Sequence, residues 1–136
     1  MSKISGPLLD RIDIHIAVPA VRYQDLNAPG NAESSEEIKR RIETVRTIQR
    51  SRLKGEKSVF YNAAMNTKQV NRYCLLDYEA KNLLKMAMTE LNFSARAYDK
   101  VLRVAKTIAD LDGKETITAG HISEAIGYRS LETINP

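Results

Sequence analysis

"SARAYDKVLRVAKTIADLDG", residues 94–113, is the clearest helical segment of the sequence. Ser94 is suited to cap its N-terminus, and Gly113 is suited to end it. Its apolar residues recur every three or four positions, which places them on one face of the helix: Tyr98, Val101, Leu102, Ala105, Ile108 and Ala109. The segment therefore predicts a helix that buries this face in a core.

Helical spacing also appears on both sides of this segment. Four further helices are predicted, at about residues 34–55, 67–74, 77–92 and 118–132, with an irregular stretch at 56–65. The first of them begins with serine caps and carries a narrow apolar seam: Ile38, Ile42, Val45 and Leu53. We therefore predict an all-α bundle of four to five helices over residues 34–136, large enough for one modest core.

The composition places the chain in a broad class. It has 136 residues, of which 43% are hydrophobic and 28% charged, as in a single soluble domain. No apolar run approaches the ~20 residues of a membrane-spanning helix, and no signal-peptide pattern opens the chain. The single Cys74 has no internal disulfide partner, which favours a reducing, cytoplasmic location. The net charge of +4 permits an anionic partner without requiring one.

The N-terminal segment "SGPLLDRIDIHIAVP", residues 5–19, has a different pattern. Ile12, Ile14, Ile16 and Val18 alternate with other residues, which predicts a strand. A strand needs a neighbour for its backbone groups, yet nothing later in the chain resembles a partner strand. We therefore expect this orphan strand to be mobile or to pair opportunistically, with a linker at 19–36 connecting it to the helices.

The sequence carries no motif of a self-contained active site. It has no GxxxxGK[ST] phosphate loop, no HExxH and no Cys/His cluster with metal-ligand spacing. His15 and His121 lie far apart and lack a ligand-like pattern, so we predict no metal site.

Two arginines are candidates for a functional role. Arg96 lies two residues after a helix cap, where a cation opposes the helix dipole. It shares a stripe with Lys100 and Arg103, which fits either a solvated face or a surface directed at phosphate. Arg11 lies at a turn before the strand, and its spacing alone favours an ordinary surface residue.

A second candidate surface lies on the first predicted helix. Lys39, Arg46, Arg50 and Lys54 run along one flank of it, which fits a solvated face or a weak nucleic-acid site. Aromatic residues for stacking are sparse, with two Phe and six Tyr in the chain. A free-standing nucleic-acid-binding module and a protein-interaction domain therefore stay open as alternative functions.

Three blocks of the sequence resemble one family in order and spacing. They are "SGPLLDRIDIHIAVP", "NFSARAYDKVLRVAKTIADLDG" and "ITAGHISEAIGYRSL", joined by "RRIETVRTIQRSR", "NAAM" and "CLLD". Together they resemble the C-terminal region of the magnesium-chelatase-like AAA+ ATPases of the YifB/ComM type. The resemblance implies that residues 1–33 are the remnant of the large ATPase subdomain plus a linker. It implies that residues 34–136 are the helical lid.

The resemblance also implies roles for both arginines. Arg11 matches the arginine finger, which acts in trans on ATP held by the next subunit, and Arg96 matches the sensor-2 arginine, which contacts ATP phosphate. The full-length protein would use ATP and Mg²⁺, with its own ATPase core and the neighbouring subunits of a hexameric ring as partners. Its task would be the processing of DNA, with no membrane involved. This chain alone would not hydrolyse ATP, because it lacks the phosphate loop and the Mg²⁺-binding acidic motif.

Overall fold

The helical prediction is confirmed by the computed structural model, which describes Leu8, residues 11–18 and residues 32–129. Within these residues it contains five α-helices, one 3₁₀ turn and no strand. The helices are α1 (Ser35–Arg52), α2 (Thr67–Tyr73), α3 (Tyr78–Glu90), α4 (Ala95–Leu111) and α5 (Ala119–Gly127), and the 3₁₀ turn is Asn62–Ala64. Most of the predicted linker and residues 130–132 of the last predicted helix lie outside the described residues.

Side-chain caps explain where the α-helices begin. An oxygen of each cap residue accepts a hydrogen bond from the backbone N–H three positions later, which satisfies one of the free donors of the first turn. The caps are Ser34, Asn66, Asp77, Ser94 and Thr118. Asn66 and Thr118 also form capping boxes, in which the third helical residue bonds back to the cap.

The end of α4 depends on a glycine in a left-handed conformation. Gly113 has a φ of 70°, and Lys114 N–H donates to the Ala109 carbonyl at 2.9 Å. This is the reversal that glycine allows at a helix C-terminus, and it turns the chain toward α5.

Helix α4 is the centre of the bundle. It packs against α5, α1, α2 and the 3₁₀ turn, while α3 packs against α5. Val101, Leu102, Ala105 and Ala109 of α4 are buried in one core cluster with residues of the other helices. The alanines let neighbouring backbones approach closely.

Burial raises the pKa of the Cys74 thiol in this cluster to about 11, which leaves it as an inert core residue.

The loops that lead into α3 and α5 are joined by a short parallel bridge between Leu76 and Ile117. Ile117 N–H donates to the Leu75 carbonyl at 2.8 Å, and Asp77 N–H donates to the Ile117 carbonyl at 3.1 Å. Ile117 is fully buried, so the bridge anchors both helix starts to the core.

The N-terminal segment differs from its prediction in two ways. Residues 12–18 form no strand, but they lie on the helical bundle, where His15 N–H donates to the Tyr128 carbonyl. His15 is buried, while Ile14, Ile16 and Val18 are exposed. Ile14 and Ile16 nevertheless line a pocket with Ile108 and Leu111 of α4, so their exposed area lies beside the bundle, and Val18 is the most exposed of the three.

The predicted apolar seam of α1 is only half correct. Val45 and Leu53 are buried, but Ile38 and Ile42 are exposed. The described residues up to Thr44 are all exposed in this part of α1, so its N-terminal half projects beyond the core.

Candidate functional site

Arg96 lies in the first turn of α4, as the sequence predicted. Ser94 Oγ accepts the Ala97 N–H at 3.1 Å, and the first turn contains no acidic residue. The Arg96 side chain is exposed, and the described residues give it no hydrogen bond or ion pair. Its charge therefore opposes the helix dipole without a compensating carboxylate.

Arg96 borders an open polar cavity between the starts of α2 and α4, with a volume of about 550 Å³. Asn66, Asn71, Thr67 and Asp99 also line it. Thr67 Oγ1 donates to Asp99 Oδ2 at 2.6 Å, which joins the two helices. The Asp99 carboxylate thus accepts a hydrogen bond from Thr67, while no residue that the structure describes bonds to the Arg96 guanidinium.

Arg11 is connected to the same helix through its backbone. Lys100 Nζ donates to the Arg11 carbonyl at 2.9 Å and to Asp13 Oδ1 at 2.5 Å. Lys100 follows Arg96 by four residues, about 6 Å along α4. The structure thus brings the Arg11 backbone to the N-terminal part of the helix that carries Arg96. The Arg11 side chain itself is exposed.

Arg129 holds the next residues of the same segment. Arg129 is only 1% exposed, and its Nη1 donates to the Ile12 carbonyl at 2.9 Å and to the Asp13 carbonyl at 3.4 Å. We call the contacts of Lys100 and Arg129 with residues 11–13 the N-terminal latch. Sequence reasoning missed it, because its partners lie 87 to 117 positions apart.

Two other cations of α4 have structural roles. Arg103, predicted on the stripe with Arg96, is half-buried and donates to the Met65 carbonyl at 2.9 Å. Lys106 is buried and donates to the Glu115 carbonyl at 2.5 Å. Burial and, next, the neighbouring Arg52 lower the pKa of Lys106. The stripe is therefore only partly a solvated face.

A buried polar network joins α1, the 3₁₀ turn and α4. Its centre is Asp110, whose carboxylate accepts two hydrogen bonds from Arg52, at 2.5 and 3.0 Å. Gln49 and Asn62 also donate to Asp110, at 3.2 and 2.9 Å, and Asn62 N–H donates to the Gln49 side-chain oxygen at 2.9 Å. Sequence reasoning missed this network. The available signal was Asp110 itself, because an acidic residue in the last turn of a helix opposes the helix dipole just as a basic residue in the first turn does.

The predicted basic flank of α1 is exposed and has aromatic neighbours. Lys39, Arg46, Arg50 and Lys54 are solvent-exposed. The Arg46 guanidinium lies over the Tyr61 ring, 5.3 Å from its centroid, and that of Arg50 lies 6.0 Å from the Phe60 ring centroid. The structure thus adds two aromatic rings that helical spacing alone did not associate with this flank.

Comparisons with known proteins match both parts of the chain. The family described as magnesium chelatase, subunit ChlI C-terminal, matches residues 32–129, and the family described as magnesium chelatase, subunit ChlI, matches residues 1–26. The first match covers most of the chain and all five helices.

The chain belongs to the magnesium chelatase ChlI C-terminal family.

Named relatives agree with this ChlI C-terminal assignment. The chain is 36% identical over 132 residues to "Competence protein ComM" of Haemophilus influenzae, which covers 96% of this chain and 25% of the relative. It is 32% identical over 137 residues to "Uncharacterized protein YifB" of Escherichia coli, which covers 98% of this chain and 26% of the relative. The chain thus spans about a quarter of the length of these relatives.

Both candidate arginines of this ChlI-type chain fall inside the matched regions, Arg96 in the C-terminal one and Arg11 in the N-terminal one. Across residues 11–18 and 32–129, no three His, Cys, Asp or Glu side chains are grouped closely enough to hold a metal ion. His121 instead completes the α5 capping box and lies 2.9 Å from Asp112. None of the described helices is long and apolar enough to cross a membrane.

Proposed function

We propose that this chain is the lid region of a magnesium-chelatase-like AAA+ ATPase, with Arg96 as sensor 2 and Arg11 as arginine finger. The observation that carries the proposal is the state of Arg96. It is an exposed cation in the first turn of α4, without a described partner, beside an open polar cavity. The unfavourable interaction of this charge with the helix dipole can be offset by binding an anionic ligand. Phosphate suits a permanently charged guanidinium, which can bind it through two hydrogen bonds.

The latch supports a joint role for both arginines. Because Lys100 binds the Arg11 carbonyl one turn from Arg96, the two arginines belong to one end of the lid. Phosphoryl transfer needs positive charge where negative charge develops, and an arginine supplied in trans increases the rate by ~10³–10⁵. In this proposal ATP and Mg²⁺ are held by the ATPase core, and this chain contributes the two cations.

The exposed apolar side of the N-terminal segment supports a core as partner. Ile14, Ile16 and Val18 alternate like residues of a strand and keep exposed apolar area on the surface of the bundle. A β-sheet in the ATPase core of the complete protein would cover them and pair their backbone groups. Arg11, next to this sheet, would then face the neighbouring subunit of a cytoplasmic ring, for which we propose a hexamer.

We further propose that the complete protein processes DNA. The support is the similarity of nearly the whole chain to ComM, which is named a competence protein. A second candidate function, nucleic-acid binding by the helical domain itself, is favoured by the arginine–aromatic contacts of α1.

The test uses the full-length gene product that contains this chain. Replacing Arg96 or Arg11 by alanine should lower ATP turnover about tenfold or more, since each removes charge from the transition state. Arg40→Ala is the matched control, because Arg40 is an exposed arginine of α1 far along the chain from both. Equal turnover in the Arg96→Ala variant and the wild type would contradict the sensor assignment.

Mixed rings test whether Arg11 acts in trans. Subunits with Arg11→Ala are combined with subunits that lack the lysine of the phosphate loop. A finger acting on the neighbour predicts that the mixture regains turnover that neither variant has alone. A mixture that stays inactive, although it assembles into rings, would contradict action in trans.

A further inference from the structure

We propose that a surface on α1 and the segment after it binds single-stranded nucleic acid. We call it the arginine–aromatic surface, and it consists of Arg46, Arg50, Lys54, Phe60 and Tyr61, with Lys39 at its margin. This inference rests on the second candidate function above and names its ligand class, and it does not depend on the lid function, since it uses none of the residues that line the cavity beside Arg96.

The charge of this surface is concentrated at one end. By helical spacing, Glu36 and Glu43 lie on the same side of α1 as Lys39 and reduce the positive potential there. Arg46, Arg50 and Lys54 continue the flank without a further acidic residue up to Lys54, and the described residues give their side chains no ion pair. A phosphate backbone would therefore bind nearest to Arg46, Arg50 and Lys54.

The aromatic rings lie at that same end. Phe60 is 55% exposed and Tyr61 37% exposed, so both rings retain area that a ligand can cover. Each ring already has a guanidinium over it, at 6.0 Å for Arg50 and 5.3 Å for Arg46. Aromatic and guanidinium planes are the groups on which unpaired bases stack.

The buried network makes this surface rigid. Asn62, next to Tyr61, is 1% exposed, and its N–H and side chain bond to Gln49 and Asp110. Gln49 is the neighbour of Arg50 on α1. The network therefore holds the segment with the two rings against the helix with the two arginines, so little ordering is needed on binding.

These features favour a single strand over other anionic partners. In a duplex the base faces are stacked on each other and unavailable to Phe60 and Tyr61. An acidic peptide would match the cations but leave the rings uncovered. Single-stranded DNA and RNA share the required chemistry, which is a chain of phosphates with exposed base faces.

The experiment measures fluorescence anisotropy of labelled oligo(dT) and oligo(U), about 12 nucleotides long, and of a duplex of equal length, with this 136-residue chain. Both single strands should bind more tightly than the duplex. The one that binds more tightly shows whether DNA or RNA is the natural ligand. Three phosphate contacts predict that log K falls with log salt with a slope of about −2.

Matched variants locate the site. Phe60→Leu and Tyr61→Leu should each weaken binding about fivefold or more, because each removes a stacking ring. Arg46→Gln and Arg50→Gln should weaken binding and reduce the salt slope by about 0.7 each. Tyr78→Leu, an exposed aromatic on α3, and Arg41→Gln, on the opposite side of α1 and paired with Glu33, should bind like wild type.

Several results would overturn the proposal. Equal or tighter binding of the duplex would do so, as would equal losses in Tyr78→Leu and Phe60→Leu. Displacement of oligo(dT) by polyglutamate at equal charge would show that the surface binds any polyanion without base stacking, which also contradicts the proposal. Phe60→Tyr keeps a stacking ring and should restore affinity, which separates stacking from a folding defect in Phe60→Leu. The binding experiment uses this chain without ATP, so failure of the ATPase proposal would be distinguishable from failure of this one.

Discussion

Two residues of α4 oppose the helix dipole, and the structure gives them different explanations. Asp110, in the last turn, is compensated by Arg52, Gln49 and Asn62, and its side chain is 1% exposed. Arg96, in the first turn, is exposed and has no compensating contact among the described residues. The same unfavourable placement therefore has a structural explanation at the end with Asp110, and at the end with Arg96 we propose a ligand as its explanation.

The placement of Arg96 leads to a prediction about stability. In this chain, Arg96→Ala should leave the free energy of unfolding unchanged or raise it by about 0.5 kcal/mol, since alanine removes the adverse charge and favours the helix. Glu79→Ala is the control of opposite sign, because Glu79 lies in the first turn of α3, where a negative charge is favourable. Denaturant melts measure both variants. A loss of more than about 1 kcal/mol in Arg96→Ala would assign Arg96 a structural role instead.

At the scale of the elements, helix starts were predictable and long-range polar contacts were not. Ser34, Ser94 and Thr118 mark helix starts in the sequence, and each caps its helix as predicted. Such signals depend on neighbours along the chain. The exposure of Ile38 and Ile42 depends on where α1 leaves the core, and periodicity contains no information on that point.

The candidate site shows the same limit. The first-turn position of Arg96 and the basic flank of α1 follow from local spacing, and the structure places both as expected. The Lys100 contact with Arg11 and the Phe60 contact with Arg50 join residues of separate segments. They could be found only once the fold had brought those segments together.

The buried network between α1 and α4 yields a prediction at this scale. A double-mutant cycle on Arg52 and Asp110 should give a coupling energy well above 1 kcal/mol, and Asp110→Ala alone should cost roughly 3 kcal/mol, because it leaves a buried cation unpaired. The control is the cycle on Arg41 and Glu33. Both ion pairs measure 2.5 Å, but the side chains are 16% and 1% exposed in the network and 51% and 38% exposed in the control.

The exposed control pair should couple much more weakly, since solvent screens it. Thermal melts provide a second measure, with Asp110→Ala expected to lower the Tm by roughly 10 °C or more. Equal coupling energies for the two pairs would show that burial does not strengthen the Arg52–Asp110 interaction.

At the scale of the whole molecule, the N-terminal latch connects the two halves of the proposed catalytic apparatus. Lys100 binds the backbone of Arg11, and Arg129 binds the backbone of Ile12 and Asp13. Arg11 itself is not restrained by an ion pair among the described residues, so its orientation depends on its backbone. A movement of α4 toward nucleotide would therefore carry the Arg11 backbone with it.

This connection predicts the effect of Lys100→Met, which keeps the apolar stem and removes the ammonium group. In this chain the His15 amide, which bonds to the Tyr128 carbonyl, should exchange its hydrogen about fivefold faster, because the segment loses two of its contacts. In the full-length protein kcat should fall about fivefold or more with KM nearly unchanged, since Arg11 would be present but misplaced.

Two controls separate positioning from general damage. Lys85→Met removes an exposed lysine of α3 and should change neither hydrogen exchange nor turnover. Lys100→Arg can still donate to the Arg11 carbonyl and to Asp13, so it should restore most of the turnover.

If Lys100→Met speeds exchange at His15 while kcat stays at the wild-type value, the latch only anchors the segment. If both quantities are unchanged, Lys100 does not hold the segment in solution. A joint loss that Lys100→Arg reverses is expected only if the position of the Arg11 backbone limits catalysis, because an unspecific weakening of the fold would not be repaired by exchanging one donor for another.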